Sequence, residues 1–307
     1  MDINNKNDGI DLLEIFSVIW SFKFTIASVI SVFSIVAILY SISLTNVYTS
    51  SALLQVNDSD EKNSLSSLNS QFGGIASIAG VSLPSGASKK SDYAIETIKS
   101  RDFLKHLLEF EGITENLFAA KSFDRTSKKI LHDADLFDSN SGKWIREAPI
   151  GRNKEPSYLE IYPVYSELLN ISIDSETNFI SISFTHLSPF FAEEFLNLVI
   201  KELNTVSKLR DLEESTLALG FLQNQLAKVQ QTDIRKSLNT LIETQLKTKM
   251  FANIRKDYLV SSIDSSFVPE TKSYPSRLII CLLGAFLGMI VSILYVLLRH
   301  YTFQKSL

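Results

Sequence analysis

The sequence predicts an α+β protein: two transmembrane helices, residues 24–44 and 278–298, flank an α/β base from which a long helical hairpin projects. Three observations predict it. The runs FTIASVISVFSIVAILYSISL and LIICLLGAFLGMIVSILYVLL carry no charged side chain over the ~20 residues that a bilayer crossing takes. The segments LLNISID and FISISFT alternate apolar and polar residues on either side of the polar turn SETN, as an antiparallel strand pair does. Residues 188–262 carry an apolar stripe at helical spacing, with Gly220 and Pro189 as the only glycine and proline.

The first run could instead be a signal peptide, but it is longer than the usual apolar core of one, and no Ala-x-Ala site follows Leu44. Lys23 abuts it on the N-terminal side, and no lysine or arginine occurs from Leu44 until Lys62, which places the N-terminus in the cytoplasm. Around the second run the count is balanced, with Lys272 and Arg277 before it and Arg299 and Lys305 after it. The parity of two spans then returns the C-terminus to the same side. The expected organisation is a cytoplasmic segment (1–23), the first span, an external domain (45–277), the second span and a short cytoplasmic tail (299–307). The external domain divides into a base (45–187), a hairpin (188–262) and a return segment (263–277), and it is long enough to bury its own core.

Composition excludes several classes. The only cysteine, Cys281, falls in the second run, so the external domain has neither a disulfide framework nor a cysteine metal site. The net charge of -4 and the lack of any long basic block argue against nucleic acid as a partner. The four histidines, His106, His132, His186 and His300, are scattered with no metal-ligand spacing. Adjacent acids such as Glu193 with Glu194, or Glu213 with Glu214, point in different directions on a helix and make poor glycosidase pairs. No catalytic, metal or cofactor site is expected.

Along the chain, Ile10, Leu13, Ser17 or Phe16, and Trp20 suggest an amphipathic helix under the membrane, with Trp20 at the interface. Residues 47–56, VYTSSALLQV, read as a strand. Serines with Gly73, Gly74, Gly80, Pro84 and Gly86 make a loop. Residues 91–110 then read as one helix, capped by Ser91 or Asp92 and ended near Gly112. Residues 119–152 give weak signals, and SYLEIYPVYSELL is a helical pattern interrupted at Pro163.

In the hairpin, Ser188 and Pro189 make an N-cap with proline at the first helical position. The stripe of Leu196, Val199, Leu203, Val206 and Leu209, then Leu219, Leu222, Leu226 and Val229, lapses over Gln230, Gln231, Thr232 and Asp233. It resumes from Ile234 through Leu238, Ile242, Leu246, Met250, Ile254 and Tyr258. A turn at residues 230–233 is expected, with Asp233 as the cap. The alternative, one unbroken helix, leaves only a short segment to bring the chain back to the second span.

These pieces together resemble the polysaccharide co-polymerases, the Wzz chain-length determinants. The segments that carry the resemblance are IDLLEIFSVIWSFKF before the first span and FGGIASIAGVSLPSG leading into DYAIETIKSRDFL. Further along they are ISISFTHLSPFFAEEFLNLVIKELN and LIETQLKTKMFANIRKDYLVSSIDSSFVPE. The resemblance implies a bacterial inner-membrane protein with a periplasmic domain, assembled as a ring-like homo-oligomer. It implies a regulator of the modal chain length of an O-antigen-like lipopolysaccharide, with a Wzy-type polymerase and a lipid-linked glycan as partners. Only Pro269 and Pro275 stand before the second span, where the family often has a denser proline pattern. The tail RHYTFQKSL is too short for the kinase of related exporters, and no GxxxxGK[ST] occurs, which points to the kinase-free class. The competing classes are a two-span sensor, for which the tail offers no output domain, and a membrane-anchored glycan-processing enzyme, for which no site converges.

Gly284, Gly288 and Ser292 recur every fourth residue, as small residues do where helix backbones approach closely in a membrane. The expected partner face is Ala27, Ser31, Ser34 and Ser41 of the first span, with a polymerase helix as the alternative.

Overall fold

The computed structural model describes residue 18, residues 20–57 and residues 86–304. The expected amphipathic helix ahead of the first span, and the loop before Gly86, lie almost wholly outside them. The chain divides into two units, residues 47–272 forming one and the two terminal segments, 1–46 and 273–307, the other. Helix α1, Lys23–Ser43, is long and apolar enough to cross a membrane.

The base is built on strand β1, Tyr48–Val56. Its alternation puts Tyr48, Ser50, Ala52, Leu54 and Val56 on the buried face. Helix α2, Gly86–Lys99, begins before the expected cap at Ser91 or Asp92, and the single helix expected over 91–110 is broken. Ser100 ends it: its backbone is extended and its hydroxyl accepts from Phe103 N at 3.1 Å, capping a separate helix α3, Arg101–Leu107. Gly112, at φ +82°, opens helix α4, Ile113–Phe118, in a left-handed conformation that suits glycine.

Two antiparallel pairs occupy the stretch whose sequence signals were weak: β2, Ala120–Asp124, with β3, Lys129–His132, and β4, Phe137–Asp138, with β5, Lys143–Trp144. They are too short for periodicity to register. Helix α5, Tyr158–Leu168, runs through Pro163 without interruption. The proline falls in the second turn and removes only the bond to the carbonyl of Leu159. Strands β6, Leu169–Ile173, and β7, Ile180–His186, form the expected hairpin, with Ile173 opposite Ile180.

Helix α6, Pro189–Lys228, starts where Ser188 and Pro189 indicate, and the Ser188 hydroxyl accepts from Phe191 N at 3.3 Å. Helix α7, Thr232–Ile254, ends sooner than the stripe through Tyr258 suggests. Strand β8, Val260–Asp264, follows, so the last residues assigned to the hairpin belong to the sheet. Asn204 of α6 enforces that change. Its Oδ1 accepts from Leu259 N at 2.7 Å and Val260 N at 2.9 Å, and its Nδ2 donates to Val260 O at 2.9 Å.

The sheet has the order β6-β7-β1-β8, all antiparallel. Its inner face, with Leu54, Ile180, Ile182 and Phe184, packs on Phe195, Leu196, Val199 and Leu203 from the first turns of α6. Ile98, Leu104, Leu107, Ile161 and Tyr165 complete the core. Burying each large side chain contributes roughly 1.5–3 kcal/mol. Tyr165 keeps its hydroxyl satisfied by donating to Ile98 O at 2.7 Å, and burial pushes its pKa far above the usual phenol range.

In the other unit, helix α8, Arg277–Gln304, pairs antiparallel with α1 and is likewise long and apolar enough to cross a membrane.

Candidate functional site

Beyond Leu209, helix α6 leaves the core and pairs with α7 in an antiparallel hairpin. Lys249 Nζ donates to Thr216 Oγ1 at 3.2 Å, and the Tyr258 hydroxyl donates to Asp211 nearer the base. At the far end, Arg235 Nη1 donates to Leu226 O at 3.3 Å and Val229 O at 3.1 Å. A cation thus closes the orphaned carbonyls at the C-terminus of α6 and faces the negative end of its dipole. Gln230 and Gln231 lie between the helices, exposed. Thr232 and Asp233, expected in the turn, open α7 instead, and Gln231 occupies the cap position without a side-chain bond. The acid in the first turn still complements the helix dipole.

The hairpin keeps much apolar surface uncovered. Leu217 and Phe221 of α6 are 69% and 62% exposed, and Leu246, Met250 and Ile254 of α7 form a second exposed stripe. Between levels 209 and 221, α6 carries Asp211, Glu213 and Glu214 against one cation, Arg210. At the same height, residues 246–258, at the end of α7 and just past it, carry Lys247, Lys249, Arg255 and Lys256 against one acid, Asp257.

Gly284 and Gly288 lie against α1. A Cβ placed on Gly284 would sit 2.4 Å from Ala37 Cβ, and one on Gly288 would sit 2.8 Å from Phe33 Cβ and 3.2 Å from Ile30 Cα. Ser292 is buried and donates to Met289 O at 2.8 Å. The facing residues of α1 are Ile30, Phe33 and Ala37, with Ser41 also buried. Of the expected partner face, Ser41 is buried and Ser34 half-buried, whereas Ala27 and Ser31 are exposed. The Ser31 hydroxyl is spent within α1, on Ala27 O at 2.8 Å. Hydroxyls that can bond their own helix need no facing helix, so the contact follows shape instead. Pro269 is buried in the base unit, and Pro275 stands just before α8.

Several ionisable groups of the base are held by the scaffold. Arg146, nearly buried, forms a two-pronged pair with Glu160, at 3.1 Å from Nη1 to Oε1 and 3.2 Å from Nη2 to Oε2. It also donates to the carbonyls of Lys154, at 2.5 Å, and Asn153, at 3.3 Å. Glu160 accepts from Ser157 N as well, and these bonds, Arg146's first, hold its pKa down at about 2. His186 is buried, with Nε2 donating to Asn116 O at 2.9 Å and Nδ1 accepting from Ser188 N at 3.1 Å. That pair of partners fits the neutral ring, and burial lowers its pKa to about 4. His132 bonds Asn116 Oδ1 and Ser139 Oγ, and His106 lies 2.9 Å from Glu202. Among the described residues no group of histidines, cysteines and acids could hold a metal ion. Arg146, Asn204 and Arg235 carry structural roles that no sequence motif announces; only their places beside an acid, a strand start and a helix end could have suggested them.

Comparison with known proteins gives one family, Wzz, described as chain length determinant protein, which matches residues 8–109. No curated protein matches. Among solved structures, one described as a full-length bacterial polysaccharide co-polymerase is similar at 15% identity and a TM-score of 0.41, covering 96% of this chain and 99% of its own. A fragment of WzzB, a polysaccharide co-polymerase from Salmonella Typhimurium, is similar at 15% identity and a TM-score of 0.29, covering 75% of this chain and 100% of its own.

Proposed function

Taking the chain as a member of the Wzz chain length determinant family through residues 8–109, we propose that it regulates the chain length of a bacterial surface polysaccharide without catalysing a reaction itself. The observation that carries the reading is the hairpin: two long helices whose outer faces keep apolar stripes, above a base whose buried ion pair, Arg146 with Glu160, serves the scaffold. A surface of that kind supports assembly. A ring-like homo-oligomer forms side by side, with the acidic level of α6 in one copy meeting the basic level of α7 in the next. Rotation about an axis along the hairpin keeps these levels matched.

The protein acts from the inner membrane, with α1 and α8 as spans, both termini cytoplasmic and the base and hairpin periplasmic. Its partners are a Wzy-type polymerase and the lipid-linked glycan. The test is the lipopolysaccharide ladder from cells with and without the gene. Loss of a modal length on deletion, restored by the intact gene, supports the reading. An unchanged ladder refutes it.

A further inference from the structure

We propose that the end of the base sheet at which β1 begins is a phospholipid-binding surface, with Arg125, Lys128 and Lys129 facing headgroup phosphates and Phe190, Phe267 and Val268 seated among the headgroups. The proposal rests on the reading of α1 as a membrane span.

The strand order gathers these residues at one place. Tyr48, the first residue of β1, pairs with His186 at the end of β7, and Phe190 follows four residues later in the first turn of α6. On the other side of β1, Ser50 Oγ donates to Phe267 O at 2.8 Å. The β2–β3 turn closes over the same end: Arg125 donates to the Tyr48 hydroxyl, and its guanidinium lies 5.4 Å from the centre of that ring. Lys128 Nζ stands 5.1 Å from the centre of the Phe190 ring.

The charge of the turn is directed outward. Its acid, Asp124, is turned onto Thr126 N at 2.9 Å and Ser127 Oγ at 2.7 Å, while Arg125, Lys128 and Lys129 are exposed. Lys128 holds a left-handed backbone, φ +56°, which is uncommon for a residue with a side chain. Glu270 is an exposed acid on the β8 side, so the cationic part of the surface is the turn. Beside it, Phe190, Phe267 and Val268 are 39%, 49% and 39% exposed. Exposed aromatic rings with basic side chains snorkelling beside them are the chemistry of a bilayer interface.

Covalent reach selects lipid as the occupant. Leu44 follows the last residue of α1, and from Leu44 to Tyr48 the chain extends no more than about 14 Å. Each basic residue near an anionic bilayer surface favours the bound state by roughly fivefold.

The test uses the full chain in vesicles containing phosphatidylglycerol and a headgroup-spin-labelled lipid. In a Cys281→Ser background, a fluorophore is placed through Phe190→Cys, Phe267→Cys or Glu176→Cys. Glu176 lies in the β6–β7 turn, at the other end of β7, about 20 Å away along the strand. Labels at 190 and 267 are expected to be quenched several-fold more than the label at 176. Adding Lys128→Glu with Lys129→Glu is expected to remove most of that excess, and free inorganic phosphate to leave it unchanged. Equal quenching at all three sites overturns the proposal, as does an excess that survives charge reversal or is displaced by phosphate. Energy transfer between labelled copies, without quenching by lipid, overturns it in favour of a protein contact. The parent chain labelled at Cys281 and probed with an acyl-chain quencher reports separately whether α8 is inserted.

Discussion

Replacing Gly284 by alanine adds one methyl group where α1 and α8 meet, and the structure sets the consequence. The new Cβ would lie 2.4 Å from Ala37 Cβ, whereas ordinary carbon contacts begin at 3.4 Å, so the helices must part by about 1 Å. A radial gap of 0.5–1 Å forfeits a quarter to a half of the dispersion well for each atom pair it opens. Between helices in lipid, dispersion and close backbone approach carry most of the association. Overpacking of this kind costs roughly 1–3 kcal/mol. The other atoms near that Cβ are Phe33 O at 3.5 Å and Ala37 Cα at 3.8 Å, both ordinary contacts. Gly284→Ala alone should therefore lower the thermal midpoint of the detergent-purified protein and disturb the glycan ladder. Gly284→Ala with Ala37→Gly exchanges the methyl across the interface and should recover nearly all of the loss, because the helix cost of glycine is moved from one helix to the other and not added. A single variant as stable as the parent, or a double variant no better than the single, would show that the helices do not meet here.

Arg146→Met leaves Glu160 without its principal partner and should destabilise the base by about 2 kcal/mol, read by denaturant unfolding at neutral pH. The folded pKa of Glu160 is depressed from 4.5 to about 2, so its contribution is complete above pH 4.5 and disappears as the pH falls through 2. The gap between parent and Glu160→Gln should close over that window, and a constant gap would contradict the assignment. His186 also has a depressed folded pKa, about 4 against 6.5, so the parent should lose stability as the pH falls from 6.5 towards 4. His186→Gln should flatten that part of the profile, and an unchanged slope would argue against a neutral buried ring. At the hairpin turn, a short Gly/Ser insertion after Gln231 should shift the thermal midpoint little, because the backbone there is exposed and buries little. Arg235→Ala should cost about 1 kcal/mol through the uncapped carbonyls, and a large collapse in either variant would contradict a free turn.

What the sequence makes legible follows from where the physics is local. The membrane-capable helices, the β6–β7 hairpin and the start of α6 at Ser188–Pro189 are each specified by residues a few positions apart, so a window of that length reads them. The break between α2 and α3 at Ser100 has a local cause too, but the stripe of Ile95, Ile98, Phe103 and Leu104 continues past it and hides it. Strand β8 is different. VSSID has little intrinsic preference, and it becomes a strand because Asn204, far away in sequence, binds the backbone of Leu259 and Val260 while β1 accepts it at the sheet edge.

The same division explains the helix contact in the membrane-capable pair. Gly284 and Gly288 stand out because small residues at every fourth position are a local pattern, yet the face they meet is set by rotation of α1 about its own axis. Small size alone cannot fix that rotation, because serine hydroxyls such as that of Ser31 can turn back onto their own helix. Ile30 and Phe33 are large and carry no such pattern, but their Cα and Cβ atoms lie within 3.2 Å of where a Cβ on Gly288 would be. A glycine makes room for what is opposite it, so its natural partner is a bulky residue as readily as a small one. The glycines therefore mark the contact from one side only, and the other side has to be read from the packed structure.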